Sequence, residues 1–452
     1  MASKLLKTRL ISPYQHDGVK WMTARETAPN YPGGFLCDEM GLGKTVQLAE
    51  LFRQNRLGAT LVIVPKSIVG QWRTELTRFA PELSVHVFDG PKRAWKTTDV
   101  VLMPYSLIEH VPTDLHWDRI VLDEGHEIRN PKSKMFRMLK NLTTNIRWVV
   151  SGTPVFNSMR DFVTLCEFIG ISKGTVVRDF ISIRNNYVLR RTREDVDNLD
   201  FQNIELDMYP EESDLYMQAF TQGQTVIKGG MTNTMVVLEC LLRIRQVMIW
   251  PQLYLDGMSI KNDLDTTLYT GRSKKHETLL ELLETHPDEK SLVFTQFTGE
   301  ADHLQSVLTT KGVPVFRLDG SVENHEREKR IEDFRAAAPN AVFLIQIKAG
   351  GVGLNLQAAS RVYILSPSWN PATELQAIAR SHRTGQSNKV VVRKLVYKDI
   401  SNELPSVEQS IVELQLNKSK VCAEVLRDER LTHQVPSVSN IKLRTIAKIF
   451  RN

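Results

Sequence analysis

Phe35-Leu36-Cys37-Asp38-Glu39-Met40-Gly41-Leu42-Gly43-Lys44-Thr45 reads as a loop that holds a nucleoside triphosphate. Gly33 and Gly34 open it, a short apolar run reads as a strand, and Thr45-Val-Gln-Leu-Ala-Glu-Leu-Phe52 continues as an amphipathic helix. A loop at a helix N-terminus aims backbone N–H groups at one spot and can hold an anion there. Gly41 and Gly43 let the backbone approach phosphates with no Cβ in the way. Lys44 can reach the β- and γ-phosphates of ATP, and the Thr45 hydroxyl can ligate Mg²⁺. The strict G-x-x-x-x-G-K-[ST] pattern asks for glycine at position 38, and this chain has Asp38.

The second half of such a site should be a strand that ends in acids. Arg119-Ile-Val-Leu-Asp-Glu-Gly-His126 is an apolar run closing on Asp123 and Glu124. In an open α/β sheet a strand delivers its last residues to the carboxyl edge, where ligands bind. There Asp123 can hold Mg²⁺, often through water, and Glu124 can orient or deprotonate an attacking water.

The rest of the chain suits a large enzyme with two such sheets. Its 452 residues allow two or three domains, and an apolar share of 42% can fill sizeable cores. Apolar runs at 61–65, 84–88, 100–104, 120–123 and 148–151 alternate with helical patterns such as Ser67–Phe79. This predicts a doubly wound parallel sheet. Runs at 291–295, 315–318, 341–345, 361–365 and 390–396 predict a second one without its own Lys-Thr loop. The region between, roughly 155–275, reads as helical, with a break at Gly223, Gly229 and Gly230. The expected fold is α/β: two RecA-like doubly wound lobes with a helical insertion. The expected divisions are 1–195, 196–272, 273–422 and a basic extension over 423–452, docked or mobile.

Composition narrows the partners. A net charge of +6 fits a polyanion such as DNA. No apolar run reaches the roughly 18 residues of a membrane span, so no membrane partner is expected. The N-terminus lacks the pattern of a secretory signal. Cys37, Cys166, Cys240 and Cys422 lie far apart with no C-x-x-C pair, so no zinc site and no disulfide framework are expected. A single phosphate loop and two lobes imply a composite site, with cations from the second lobe at the γ-phosphate. Arg380 and Arg383 are the candidates. They are three apart, which on a helical turn puts them on one face.

The motifs together resemble a Swi/Snf-type ATPase of helicase superfamily two, in order and over nearly the whole chain. Pro13-Tyr-Gln-His-Asp-Gly-Val-Lys-Trp-Met22 resembles the opening motif, which implies an adenine contact for Gln15. Asp38-Glu-Met-Gly-Leu-Gly-Lys-Thr45 matches the family's phosphate loop, Asp38 included. Val64-Pro-Lys-Ser67 with Gln71-Trp72, Asp123-Glu-Gly-His126 and Ser151-Gly-Thr-Pro154 are similar to motifs Ia, II and III. Leu189-Arg-Arg-Thr192 and Leu242-Arg-Ile-Arg-Gln246, followed by Pro251, resemble blocks peculiar to the family. Phe294-Thr-Gln-Phe297, Leu318-Asp-Gly-Ser321, Ala349-Gly-Gly-Val-Gly-Leu-Asn355 and Arg380-Ser-His-Arg-Thr-Gly-Gln386 are similar to motifs IV to VI. Ser406-Val-Glu-Gln-Ser-Ile-Val-Glu-Leu-Gln415 resembles the helix that braces the lobes.

This resemblance implies ATP and Mg²⁺ as cofactors and ATP-driven tracking along double-stranded DNA. It implies nucleotide contacts that include Asp38 and Gly353, and coupling roles for His126, Ser151, Thr153 and Gln376. It implies DNA contacts at Lys66, Ser67, Tyr105, Ser106, Thr295, Gln296 and Lys348 through Gly351, Gly350 included. Ile347 stands where the family often has a hydroxyl, which alters one DNA or coupling contact. In wording the motifs look most like the helicase-like transcription factor subgroup. The chain lacks the Cys/His cluster of that subgroup's RING finger, so no ubiquitin transfer is expected. It reads as a minimal engine, acting as a monomer on DNA, nucleosomes or other DNA-bound proteins. The resemblance places it in the nucleus or another DNA compartment, such as a viral one. A strand-separating helicase, or an inactive DNA-binding scaffold, are the alternatives.

Overall fold

A computed structural model describes residue 10 and residues 12–433, apart from 92, 97, 114, 154–157, 193–198, 230–233, 351–353, 384–385 and 402–403. The expectations at Pro154, Gly351, Gly353 and the tail beyond residue 433 lie outside the described residues. The chain divides into two compact units, Met1–Glu194 with Lys420–Leu431, and Asp195–Ser419 with Thr432–Asn452.

Among the described residues the first unit has seven strands: β1 (Gly33–Leu36), β2 (Thr60–Val64), β3 (Val85–Val87), β4 (Val100–Pro104), β5 (Trp117–Asp123), β6 (Thr144–Val150) and β7 (Val188–Leu189). Their order is β3-β4-β2-β5-β6-β1-β7, every neighbouring pair parallel. β1, β2 and β4 are buried throughout, as continuous apolar strands in a parallel sheet should be. The register sets the site. Val150 pairs with Leu36 on one side and Asp123 on the other. The phosphate loop, Glu124 and Ser151 therefore all leave the sheet at one level of its carboxyl edge.

The second unit has β8 (Leu199–Leu206), β9 (Ser291–Thr295), β10 (Val315–Leu318), β11 (Val342–Gln346), β12 (Arg361–Ile364) and β13 (Val390–Tyr397). These form a parallel sheet in the order β10-β11-β9-β12-β13-β8. The fold is thus α/β with two parallel-sheet lobes. β8 corrects the all-helical reading of 155–275, since it pairs with β13 over its whole length. Leu199 and Phe201 pack against one apolar cluster, Ile204 and Leu206 belong with another. The apolar set changes face mid-strand, so no simple alternation is visible. The helices Pro210–Lys228, Thr234–Ile249 and Pro251–Asn262 follow. Tyr216, Ile244 and Val247 share a core with Val293 of β9 and Tyr397 of β13.

A buried polar network holds the helix Pro371–Ile378 in this unit. Asn370 caps it, its Oδ1 accepting from Ala372 N at 3.0 Å, and Pro371 takes the first helical position. Glu374 accepts from Ser368 N at 2.6 Å and from Lys394 Nζ at 3.0 Å. Glu408 pairs with buried Lys275 at 2.5 Å and accepts from Ser366 Oγ at 2.6 Å. Among the described residues no helix is long and apolar enough to cross a membrane.

Candidate nucleotide site

The loop between β1 and the helix Lys44–Gln54 turns through Gly41 and Gly43, at φ 86° and 72°. A side chain there would be strained, and a Cβ on Gly43 would sit 2.6 Å from Gln15 Nε2. Helix geometry leaves the first N–H groups of Lys44–Gln54 without intrahelical acceptors. Lys44 Nζ donates to the carbonyls of Asp38 at 2.9 Å and Glu39 at 3.4 Å, which holds its charge over the loop. Gln15 Nε2 and the Tyr14 hydroxyl both donate to Leu42 O, at 3.4 and 3.3 Å. The helix Pro13–Glu26 thereby sets Gln15 beside the loop. Convergent donors, a turn of glycines and a lysine form a cradle that fits a polyphosphate.

Asp38 is placed differently from the expectation that it touches nucleotide. Its carboxylate is fully buried. It accepts from Arg191 N at 3.1 Å, Arg191 Nε at 2.9 Å, Arg191 Nη2 and Gln47 Nε2 at 3.0 Å. Arg191 also donates to Gln47 Oε1 at 2.5 Å and to Tyr14 O. A buried acid needs such a partner, so Asp38 braces the loop rather than facing phosphate. The neighbouring Arg190 does similar work beneath. It donates to Cys37 O at 2.8 Å and Gly152 O at 3.2 Å, and pairs with Asp428 at 2.7 Å. Sequence reasoning gives neither arginine a role of its own. A buried acid inside a phosphate loop is the one signal that asks for a cation.

At the end of β5, Asp123 Oδ2 accepts from Trp72 Nε1 at 2.6 Å and Oδ1 from Glu124 N at 3.0 Å. Burial, and then the charge of Glu124, push its carboxyl up to about 6, against the Trp72 donor and Lys44. Glu124 is also buried in a way that would raise its carboxyl, yet His126, Lys44 and Ser151 outweigh this and hold it below the usual range. Lys44 thus acts electrostatically on both acids, as one site requires. Glu124 adopts a left-handed backbone, φ 51° and ψ 48°. Ser151 Oγ donates to Glu124 Oε2 at 3.1 Å, and His126 Nδ1 lies 3.3 Å from the same oxygen. Thr153 N donates to Ser151 Oγ at 3.1 Å. His126 and Ser151 are therefore gathered on Glu124, with the Thr153 backbone behind Ser151. Two adjacent carboxylates at the end of β5, Asp123 and Glu124, are hard oxygen donors of the kind Mg²⁺ takes, with the Lys44 charge close enough to act on both. No group of three or more His, Cys, Asp or Glu that could hold a metal occurs among the described residues.

The expected DNA contacts divide by exposure. Lys66, Ser67, Ser106 and Lys348 are exposed, and Gln296 is half-buried. Gly350 ends the short helix Ile347–Gly350. Tyr105 and Thr295 are buried instead, so neither side chain reaches a surface. The Tyr105 hydroxyl donates to Asp123 O at 2.9 Å. Ile347 is buried in the apolar core of the second unit. Arg380 and Arg383 depart from the helical-face expectation. The helix carrying Gln376 ends at Ile378, and both arginines sit in the turn beyond. Backbone bonds from Ser381 N and His382 N to Ile378 O close that turn. Leu356 N to Arg380 O, 3.0 Å, ties it to the preceding loop.

Comparison with known proteins gives the frame for this geometry. The SNF2-related domain family matches residues 14–253, more than half of the chain, and the helicase conserved C-terminal domain matches 274–385. A putative ATP-dependent helicase/translocase of Bacillus subtilis is 33% identical over 85% of this chain and 46% of its own length. A CHD3-type chromatin-remodeling factor of Arabidopsis thaliana is 30% identical over 91% of this chain and 37% of its own. The chain thus spans less than half the length of these relatives. A Sulfolobus solfataricus SWI2/SNF2 ATPase core solved with double-stranded DNA aligns over 95% of this chain and 97% of that one, at 24% identity and a TM-score of 0.42.

Proposed function

We propose that this chain, which belongs to the SNF2-related family of helicase superfamily two ATPases, is an ATP-driven motor. It hydrolyses ATP, with Mg²⁺, to move along double-stranded DNA and displace proteins bound there. The relatives include bacterial helicase/translocases as well as chromatin-remodelling factors. Motion on duplex DNA is the activity that serves both. The observation that carries the reading is the meeting of Lys44, Asp123 and Glu124 at one edge of the first sheet.

In this account Lys44 and the first turn of Lys44–Gln54 bind the phosphates, and Gln15 lies toward the base. Bound Mg²⁺ would be held by Thr45 and Asp123 and would neutralise charge on the β- and γ-phosphates. Glu124 orients or deprotonates the attacking water, with its carboxylate set by Ser151 and His126. Arg380 and Arg383 bring positive charge to the γ-phosphate. Gln376, Ser151 and Thr153 couple that event to DNA grip. Lys66, Ser67, Ser106, Gln296, Lys348 and Gly350 contact the DNA backbone, which positions the protein without reading sequence. The engine acts as a monomer, in whatever compartment holds its DNA, the nucleus where there is one.

The test separates tracking from strand separation. A third strand annealed on duplex DNA should be displaced in an ATP-dependent manner. A labelled duplex with a flanking single strand should stay paired. Unwinding of that duplex, with no third-strand displacement, would establish the helicase reading instead.

A further inference from the structure

Trp72, a motif residue, and Tyr105, an expected DNA contact, are left without a task by the nucleotide cradle, and both aim a polar atom at Asp123. Trp72 is 2% exposed and belongs to the apolar cluster that includes Val64, Leu76 and Val121. Its Nε1 donates to Asp123 Oδ2 at 2.6 Å. Tyr105 is 6% exposed and its hydroxyl donates to the Asp123 carbonyl at 2.9 Å. One residue thus holds the carboxylate and the other holds the backbone that bears it.

We propose that Trp72 is a positioning residue for the metal-holding carboxylate, with Tyr105 fixing the strand end beneath it. The inference rests on the ATP and magnesium reading of this site. An indole N–H is a donor and has no acceptor, so it pairs with a carboxylate oxygen in one sense only. Packed rigidly in the core, the ring cannot follow a rotating carboxylate. It therefore fixes the Asp123 torsion before the cation arrives, with Oδ2 engaged by Trp72 and Oδ1 by Glu124 N. Outer partners of this kind commonly change metal affinity 10–100-fold. A phenylalanine at 72 keeps an aromatic ring in the core and removes the donor. A phenylalanine at 105 removes one hydroxyl and little else.

The experiment compares the full chain with Trp72→Phe and Tyr105→Phe. Binding of a fluorescent ATP analogue is titrated with magnesium chloride and repeated in chelator, alongside turnover and thermal melting. Trp72→Phe should need about 10–100-fold more Mg²⁺ for half-maximal tightening and turnover. Binding in chelator should be unchanged, and saturating Mg²⁺ should restore turnover to within a few-fold. Tyr105→Phe should shift the magnesium midpoint in the same direction by less. If Trp72→Phe proves unfolded at the assay temperature, Tyr105→Phe alone decides, and an unshifted midpoint there overturns the proposal. Magnesium midpoints that both folded variants share with the parent overturn it too. No magnesium dependence in the parent itself would instead overturn the ATP reading.

Discussion

Removing Arg191 should loosen the phosphate loop by a measurable amount. The Asp38 carboxylate is fully buried and takes three of its four donors from Arg191, whose side chain is 19% exposed. Arg191→Met removes two of those three and leaves the backbone N–H and Gln47. Breaking a buried ion pair from one side costs about 3–5 kcal/mol, because the remaining charge keeps its desolvation penalty. Asp38→Asn keeps an acceptor for Arg191 and should cost about 1.5–3 kcal/mol, the worth of a charged hydrogen bond. The double variant should cost less than the sum, with a coupling of about 1.5 kcal/mol or more. Hydrogen exchange of the Leu48–Phe52 amides under a urea series reads this unit specifically, since their bonds open with its core. ATP affinity should fall in parallel, as the cradle loses its support. An Arg191→Met cost below about 1 kcal/mol, with an additive double variant, would refute the bracing role.

Other outcomes follow from the same geometry. Lys44→Ala should abolish turnover, whereas Glu124→Gln should abolish turnover yet bind ATP nearly normally, since Asp123 remains; near-normal turnover of the Gln variant would remove Glu124 from its role. Lys348→Ala should weaken DNA binding about equally across sequences and lower the salt slope by about 1; a salt series of affinities reads this directly, and an unchanged slope would exclude a phosphate contact. Glu300 is buried, and burial pushes its carboxyl up to about 7 against the Gln296 and Phe297 N–H groups, Lys275 and Arg245. Its folded value lies above its unfolded one, so the folded state holds the extra proton between about pH 4.5 and 7 and stability falls as pH rises through that window. Glu300→Gln should flatten the decline by about 3 kcal/mol in the unfolding free energy read from urea titrations between pH 5 and 8; an unchanged slope would show that Glu300 titrates normally.

Local pattern makes the strands and the two halves of the ATP site legible in the sequence. A buried parallel strand announces itself as a short apolar run, and Asp123 ends one such strand while Lys44 lies one loop beyond another. The partner of Asp38 is not legible there, because Arg191 lies 153 residues away and only the sheet brings β7 beside β1. β7 itself has two residues and continues from the helix Lys173–Tyr187, too short to carry a period. β8 escapes a periodicity reading because its apolar side chains serve two cores on opposite faces. Tyr105 is an expected DNA contact by family resemblance alone, with no local pattern to check it. Its ring is buried, and its hydroxyl satisfies a strand carbonyl instead. The arginines beyond Ile378 carry helical spacing, but the helix closes before it reaches them.

The proposed hydrolysis rests on Lys44, Asp123 and Glu124, with Arg380 and Arg383 as its arginine fingers. The most direct measurement is steady-state ATP turnover at saturating duplex DNA for the full chain and for Arg380→Ala and Arg383→Ala, with DNA affinity measured separately without nucleotide. Turnover in the parent should be stimulated by duplex DNA. The variants should lose turnover on the order of 10³–10⁵, the worth of an arginine finger, with DNA affinity little changed. Normal turnover in both variants at saturating DNA would contradict this reading, since the two arginines would then play no part in hydrolysis.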